Sequence, residues 1–153
     1  MTPVNITRLY SQQIENPTFK TLLEVVSHLG MMQAQDYPGV KWSVGLRLPG
    51  STDADIEQAI IAKEFVRTSM ARGTLQLVAA ADIRWMLALV TPRIITSIAA
   101  RYKELELDEA IFTQTKKLLV KALEGGKQQT RSELFTMLEQ EGIATPEQRG
   151  MPI

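Results

Sequence analysis

Two glutamines, Gln33 and Gln35, are two residues apart in the stretch MMQAQDYPG, which spans residues 31–39. A glutamine amide takes up no proton at neutral pH, so it is not a general base. Its oxygen accepts and its nitrogen donates hydrogen bonds in a fixed relation. Such a group can orient a water molecule and place partial negative charge beside a developing cation. This chemistry suffices only where the leaving group is already activated.

The directions of the two amides decide whether they can act together. In a helix, side chains at i and i+2 point about 200° apart, whereas in extended backbone they point to the same side. Gly30 before the pair and Pro38 after it favour a non-helical stretch, which predicts that both amides face one site. Asp36 is predicted to cap the following helix and is the second choice as a site residue. The alternative is a pair of solvated loop amides, since two glutamines at this spacing are common.

The composition limits other kinds of chemistry. The 153 residues contain no cysteine, which excludes disulfides and thiolate zinc sites, and the one histidine, His28, is predicted to be a surface residue. The sequence shows no histidine–carboxylate metal cluster, Ser/His/Asp set or glycine-rich phosphate loop, so we expect no metal and no cofactor. No signal peptide is visible, and Asp82, Arg84 and Arg93 interrupt the most apolar region, 75–100, as a membrane span. We therefore expect a cytoplasmic protein without a membrane partner.

Charge is unevenly distributed along a chain whose formal net charge is zero. Segment 65–103 has six basic residues against one acid, whereas 51–64 has four acids against one lysine and 104–153 has nine acids against six bases. A basic segment between acidic ones is a candidate surface for a polyanion. The alternative is a set of arginines that solvate helix faces.

Hydrophobic periodicity and end signals predict four helices in the first 64 residues. They cover residues 6–14 with Asn5 as the cap, a stretch from the cap Asn16-Pro17 to Gly30, a stretch from Tyr37 through Leu46, and a stretch capped by Thr52 or Asp53. Trp42 and Trp85 lie among apolar residues and are predicted to be core.

A hairpin is predicted after these helices. Phe65–Met70 and Thr74–Val78 have strand character, and Ala71-Arg72-Gly73 supplies a turn in which glycine can adopt positive φ. Helices followed by a hairpin with a basic tip are typical of a winged helix-turn-helix. The predicted fold class is therefore mainly α with a small β-hairpin, an α+β fold.

The C-terminal half predicts further helices. They are a long helix from Ala80 that Thr91-Pro92 kinks or restarts, a helix over Asp108–Leu123, a helix capped by Thr130 with Glu133, and the start of another at Thr145-Pro146-Glu147. This pattern predicts a winged-helix domain with a trailing helix at 1–103 and the truncated beginning of a second helix-turn-helix at 104–153. We therefore expect the chain to be a fragment.

A family resemblance is carried by residues 29–93. "LGMMQAQDYPGVKWSVGLRLPG" and "FVRTSMARGTLQLVAAADIRWMLALVTPR", with their spacing, resemble the winged-helix family of bacterial DNA glycosylases of the AlkZ/YcaQ type, which removes bulky alkylated bases. The resemblance covers about the first hundred residues, and "QTRSEL…EGI" fits the start of the family's second winged helix. Full members have tandem winged-helix domains that form a concave, basic DNA-binding channel.

The resemblance assigns roles to particular residues. The family's catalytic signature, glutamine–apolar–glutamine, falls on Gln33 and Gln35, so these are the candidate catalytic residues. The predicted DNA-binding residues lie on the hairpin and are Arg67, Arg72, Thr74 and Gln76. For Arg72 the alternative is a solvated turn arginine, and for Thr74 it is the ordinary preference of a β-branched residue for a strand. Ser69 and Gln76 depart from the family's pattern, which has an aromatic residue and a histidine there, and this puts substrate preference in question.

The resemblance implies a DNA glycosylase that hydrolyses the N-glycosidic bond of alkylated purines, of the N7, bulky or crosslinked type, in damaged double-stranded DNA. An N7-alkylated guanine is cationic and departs easily, which suits two amides that cannot titrate. One alternative is a non-catalytic winged-helix DNA-binding or regulatory module. The acids of segment 53–64, at the position of a recognition helix, count against an ordinary regulator because they would repel phosphates. Another alternative is a winged-helix scaffold that binds protein.

Overall fold

The computed structural model describes residues 4–145, with side chains at residues 6–71 and 73–145. Within this range the chain is mostly helical and has one small antiparallel sheet of three strands, which confirms the predicted α+β class. By packing, the chain divides into two compact units, one up to Ile94 and one from Ile95. The predicted domains 1–103 and 104–153 stay a prediction, and the helix expected from Thr145-Pro146-Glu147 lies outside the described residues.

The elements, in chain order, are α1 Val4–Ser11, α2 Leu22–Leu29, β1 Met32–Gln33, α3 Tyr37–Gly45, α4 Asp53–Ile61, β2 Phe65–Ser69, β3 Leu75–Ala79, α5 Ile83–Glu104, α6 Glu109–Leu123 and α7 Arg131–Gln140. Two short 3-10 turns, Ala71–Gly73 and Glu124–Gly126, follow β2 and α6. Helix α1 begins before the predicted cap and ends earlier than expected.

Helix α2 begins later than its sequence signal predicted. The Thr21 hydroxyl accepts from the Glu24 N–H at 3.1 Å, and the Glu24 carboxylate accepts from the Thr21 N–H at 3.2 Å. This reciprocal capping box satisfies two of the N–H groups that a helix start leaves free. Asn16 is no cap: its φ is +52° and its amide donates to the Tyr10 hydroxyl at 3.3 Å. Gly30 ends the helix as predicted, with φ +71°.

The sheet has a strand that the sequence did not reveal. Strand β1 has only two residues, and it pairs antiparallel with β3 so that the strand order is β1-β3-β2. Its register sets Met32 opposite Leu77 and Gln33 opposite Gln76. A strand of two residues is too short for its alternation of apolar and polar residues to predict it from pattern alone.

The two faces of the sheet pack against different helices. On one face Phe65, Leu77 and Ala79 join buried residues of α2, α3 and α4 in the main core. On the other face Met70 and Val78 pack with Met86 at the start of α5. Because both faces of the hairpin are buried near Val78, polar side chains are confined to the end of the sheet near the hairpin turn.

Two tryptophans predicted as core are exposed. Trp42 is 68% exposed and lines an open pocket of about 360 Å³ between α3 and the start of α4. Trp85 is 54% exposed, and its indole Nε1 donates to Asp82 Oδ1 at 2.7 Å. Apolar neighbours in sequence predict burial only where another element covers that helix face.

Helix α5 is one helix from Ile83 to Glu104 with Pro92 inside it, so of the two predicted alternatives the restart at Thr91-Pro92 is excluded and the kink stays a prediction. A proline removes one backbone donor from a helix, and the turns on either side of it still hold. By length and composition α5 is long and apolar enough to cross a membrane, with mean hydropathy 1.3 over its most apolar 18 residues. A single helix of this kind is a weak indication of a membrane protein.

Two of the predicted helices, α6 and α7, are confirmed in the second unit. Asp108 caps α6 by accepting from the Ile111 N–H at 2.8 Å. Thr130 and Glu133 form the predicted capping box at the start of α7, with the Thr130 N–H donating to Glu133 at 2.6 Å. Leu138 of α7 is 1% exposed and anchors this helix in its unit.

Candidate active site

The glutamine segment, residues 33–35, leaves strand β1 in extended backbone. Met32 and Ala34 point into the core and are 6% and 0% exposed. Gln33 and Gln35 alternate with them and are exposed. The Ala34 N–H continues the ladder to β3 with a 2.9 Å hydrogen bond just beyond the end of β1. This alternation confirms the prediction that the two amides lie on the same side of the backbone.

The two amides are hydrogen-bonded to each other. Gln33 Nε2 donates to Gln35 Oε1 at 2.7 Å. Within residues 4–145, neither Gln33 Oε1 nor Gln35 Nε2 has a further hydrogen-bond partner. The pair therefore presents one available carbonyl oxygen and one available amide nitrogen to solvent, with each amide orienting the other.

Gln76 lies beside the pair in the middle of the sheet. Its register partners are Gln33 on β1 and Thr68 on β2, so the three side chains share one face. Gln76 is 8% exposed, and its Nε2 donates to Thr74 Oγ1 at 2.8 Å. The Thr74 hydroxyl in turn donates to the Ala71 carbonyl at 3.0 Å. Two of the predicted DNA-binding residues thus form a hydrogen-bonded chain into the hairpin turn, and their contact with DNA stays a prediction.

Arg67 approaches the glutamine segment from β2. Its Nε donates to the Ala34 carbonyl at 2.7 Å, and its Nη2 donates to the Gln35 carbonyl at 3.3 Å. The guanidinium also lies over the ring of Tyr37, 5.6 Å from the ring centroid. The sequence predicted a phosphate contact for Arg67, which stays a prediction, and it gave no sign of these contacts with a segment more than thirty residues away.

The tip of the hairpin carries Arg72 in the turn Ala71–Gly73. The turn is closed by a hydrogen bond from the Gly73 N–H to the Met70 carbonyl at 2.9 Å. Gly73 has φ +70°, a conformation that favours glycine, as the sequence predicted. The structure describes the backbone of Arg72 and not its side chain, so its contact with DNA stays a prediction.

Helices α3 and α4 are joined by an ion-pair network next to the glutamine segment. Lys41 Nζ lies 2.8 and 2.9 Å from the two carboxylate oxygens of Asp53 and 2.6 Å from Glu57 Oε1. The Tyr37 hydroxyl donates to Glu57 Oε2 at 2.8 Å. Hydrogen bonds to Asp53 and Glu57 raise the pKa of Lys41, and those from Lys41 and Tyr37 lower the pKa of Glu57. Burial, and then the bond to Glu57, raises the pKa of Tyr37.

Sequence reasoning missed Tyr37 and Lys41. A signal was present, since both residues are four apart on α3, as are Asp53 and Glu57 on α4. Asp55 is also engaged, because it forms a capping box with Thr52 and the hydrogen bonds from Thr52 lower its pKa. Three of the acids counted as a repulsive surface therefore have partners within the protein.

The depressed pKa of Glu57 predicts a pH dependence of stability. A carboxyl whose folded pKa is lowered stabilises the fold fully above its unfolded pKa, ordinarily about 4.5 for glutamate, and loses this contribution as pH falls through the lower folded value. We expect Glu57→Gln to flatten the acid side of a plot of melting temperature against pH. Glu64→Gln, an exposed position, is the control for the change in net charge. An unchanged acid slope in Glu57→Gln would contradict the prediction.

Asp36 occupies the N-cap position of α3, as predicted, but its side chain makes no capping hydrogen bond. Its carboxylate is exposed and adjoins the glutamine segment in sequence, so it remains the second choice as a site residue. Among the described residues, no group of three histidine, aspartate or glutamate side chains is placed to hold a metal ion.

Comparison with known proteins gives a family match. A family model described as "DNA glycosylase AlkZ-like" matches residues 26–152, which is most of the chain and includes the glutamine segment, the sheet and helices α3 to α7. No curated protein and no solved structure matches the chain.

Proposed function

The chain belongs to the family of AlkZ-like DNA glycosylases, and from this premise we propose that it hydrolyses the N-glycosidic bond of alkylated purines in double-stranded DNA. The family implies DNA as the partner and base excision as the reaction. The narrower substrate class, N7-alkylated, bulky or crosslinked purines, is proposed from the chemistry of the site. A protein that repairs DNA must reach the chromosome, which lies in the cytoplasm of a bacterial cell. We therefore propose a bacterial, cytoplasmic protein.

The hydrogen-bonded amide pair is the observation that carries this proposal. Gln33 Oε1 is available to accept a hydrogen bond, and Gln35 holds Gln33 in place through the 2.7 Å bond. A carbonyl oxygen in this position orients a water molecule and places partial negative charge near the sugar carbon C1′ as it becomes cationic. Both functions require an exposed, fixed amide, and the extended segment supplies it.

The reaction needs no general base if the base leaves as a cation. In N7-methylguanine, the C1′–N9 bond breaks with its electron pair moving onto the positively charged base, which departs as neutral 7-methylguanine. The water oxygen bonds to C1′, and its proton passes to solvent. An amide neither takes that proton nor gives one to the departing base, so a neutral base that must be protonated before it leaves is a poor substrate.

The fold supports a winged-helix mode of DNA binding. Helices α2, α3 and α4 precede a hairpin, and β1 adds a third strand beside it, which is the element order that a winged helix requires. In this arrangement α4 takes the place of the recognition helix and the hairpin that of the wing. The acids of α4 form an ion pair with Lys41 and a capping box with Thr52. We therefore propose that the hairpin rather than α4 supplies the main contacts with phosphate.

Base release from defined duplexes tests the proposal. We expect the protein to release 7-methylguanine from an N7-methylguanine duplex faster than spontaneous depurination, and to release no uracil from a matched uracil duplex. Gln35→Ala is the control for release that does not depend on the amide pair. Duplex binding that weakens with salt but is accompanied by no base release would favour the non-catalytic DNA-binding module. The absence of any duplex binding would favour the protein-binding scaffold.

A further inference from the structure

Arg67 connects two edges of the sheet. Arg67 lies on β2 and pairs with Leu77 on β3. The carbonyls that its side chain binds belong to Ala34 and Gln35, which follow β1 on the other side of β3. The side chain therefore crosses the central strand to reach the glutamine segment. Within residues 4–145, its two N–H groups are the only donors to these carbonyls.

The guanidinium of Arg67 is itself held in place by Tyr37. It lies over the face of Tyr37 at 5.6 Å, where a cation is attracted to the aromatic ring. The Tyr37 hydroxyl donates to Glu57 of α4, which fixes the orientation of the ring. A chain of contacts thus runs from α4 through Tyr37 and Arg67 to the backbone of the glutamine segment.

The two glutamines depend on different supports. Gln33 belongs to β1 and pairs with Gln76, so the sheet positions it. Gln35 lies beyond the last paired residue of β1, and the segment from Gln35 to α3 has no strand partner. The bonds from Arg67 to the Ala34 and Gln35 carbonyls restrain the backbone dihedrals that set the direction of the Gln35 side chain.

We propose that Arg67 is a positioning residue that holds Gln35 in register with Gln33. This inference rests on the proposed glycosylase function and goes beyond it, because it gives Arg67 a role inside the protein in place of the phosphate contact that its charge suggests. An arginine suits this role because its planar fork presents parallel N–H groups that span two neighbouring carbonyls. A lysine keeps the charge but lacks the fork.

Kinetics of Arg67→Lys distinguish positioning from phosphate binding. We expect the single-turnover rate of 7-methylguanine release at saturating enzyme to fall by about 10- to 100-fold, since a small misplacement of a reacting group has effects of this size. Duplex affinity and its salt dependence should stay within about twofold of wild type, because the charge is kept. Arg84→Lys, an exposed arginine on α5, is the matched control and should leave the rate unchanged. A rate equal to wild type, or a loss confined to affinity with a reduced salt slope, would overturn the inference.

A second measurement does not depend on activity. The side-chain amide resonances of Gln33 and Gln35 report their mutual hydrogen bond by NMR in the free protein. In Arg67→Lys and Arg67→Met we expect the side-chain amide resonances of Gln35 to move towards those of a solvated glutamine. The backbone amide resonances should keep the dispersion of a folded protein. If wild type releases no base but these shifts occur, the function fails and the positioning role stands. Unchanged Gln35 resonances in both folded variants would refute the positioning role.

Discussion

Replacing Gln33 or Gln35 with alanine is expected to lower the single-turnover rate of 7-methylguanine release by about 10²- to 10³-fold, and replacing both is expected to lower it little further. The reason is the 2.7 Å hydrogen bond between the two amides. Removing either side chain removes the partner that fixes the other, so each single variant already loses the oriented water. Effects of groups that act as one unit do not multiply.

The measurement is a double-mutant cycle on the rate of base release, with duplex affinity determined separately. Met31→Ala changes an exposed neighbour, 39% exposed, and is the control for general disturbance of the segment. Affinity for the duplex should change little in every variant, because amides contribute no counterion release. Two single effects that multiply in the double variant would show that the glutamines act separately, and unaffected rates would exclude them from the chemistry.

Phe65→Ala is expected to reduce the free energy of unfolding by about 3–5 kcal/mol, the usual cost of removing a buried phenylalanine. Phe65 is 1% exposed and packs in the core that α2, α3 and α4 form with the sheet. Its register partner is Ala79, so little side-chain volume lies beside it to fill the cavity.

Urea unfolding measures this change as a shift in midpoint with an unchanged slope. Ser69→Ala, at the exposed end of the same strand, is the matched control and should stay within about 0.5 kcal/mol of wild type. A loss below about 1 kcal/mol in Phe65→Ala would contradict the assignment of Phe65 to the core.

Local signals in the sequence predicted the parts of the site that local chemistry determines. Gly30 and Pro38 predicted the non-helical glutamine segment, and the structure places both amides on one side of it. The turn around Gly73 and the capping box at Thr130 were also predicted, because each depends on residues within four positions of one another.

Features that depend on distant partners were missed or misplaced. The bond from Arg67 to Ala34 joins residues 33 positions apart, and no spacing rule identifies such a pair. Strand β1 exists because β3 lies beside it, since two residues have no periodicity of their own. Trp42 was placed in the core because its neighbours in sequence are apolar, yet within residues 4–145 its side chain is 68% exposed.

The cap of α2 was predicted at Asn16 and lies at Thr21, and this error has a local cause. Both residues are good N-caps, and the proline after Asn16 favoured the earlier start. Thr21 has Glu24 three residues later and can form a reciprocal pair of hydrogen bonds. The complete capping box, rather than a single cap residue, identifies the start of α2.

The bridge that Arg67 makes across the end of the sheet has an entropic consequence. Its hydrogen bonds to Ala34 and Gln35 form as the chain folds, before any DNA is present. The backbone freedom of the glutamine segment is therefore lost during folding, and little of it remains to be lost when a damaged nucleotide arrives. Under the proposed glycosylase function, binding energy from the duplex is then free to unstack and extrude the nucleotide, because it does not have to order the glutamine segment.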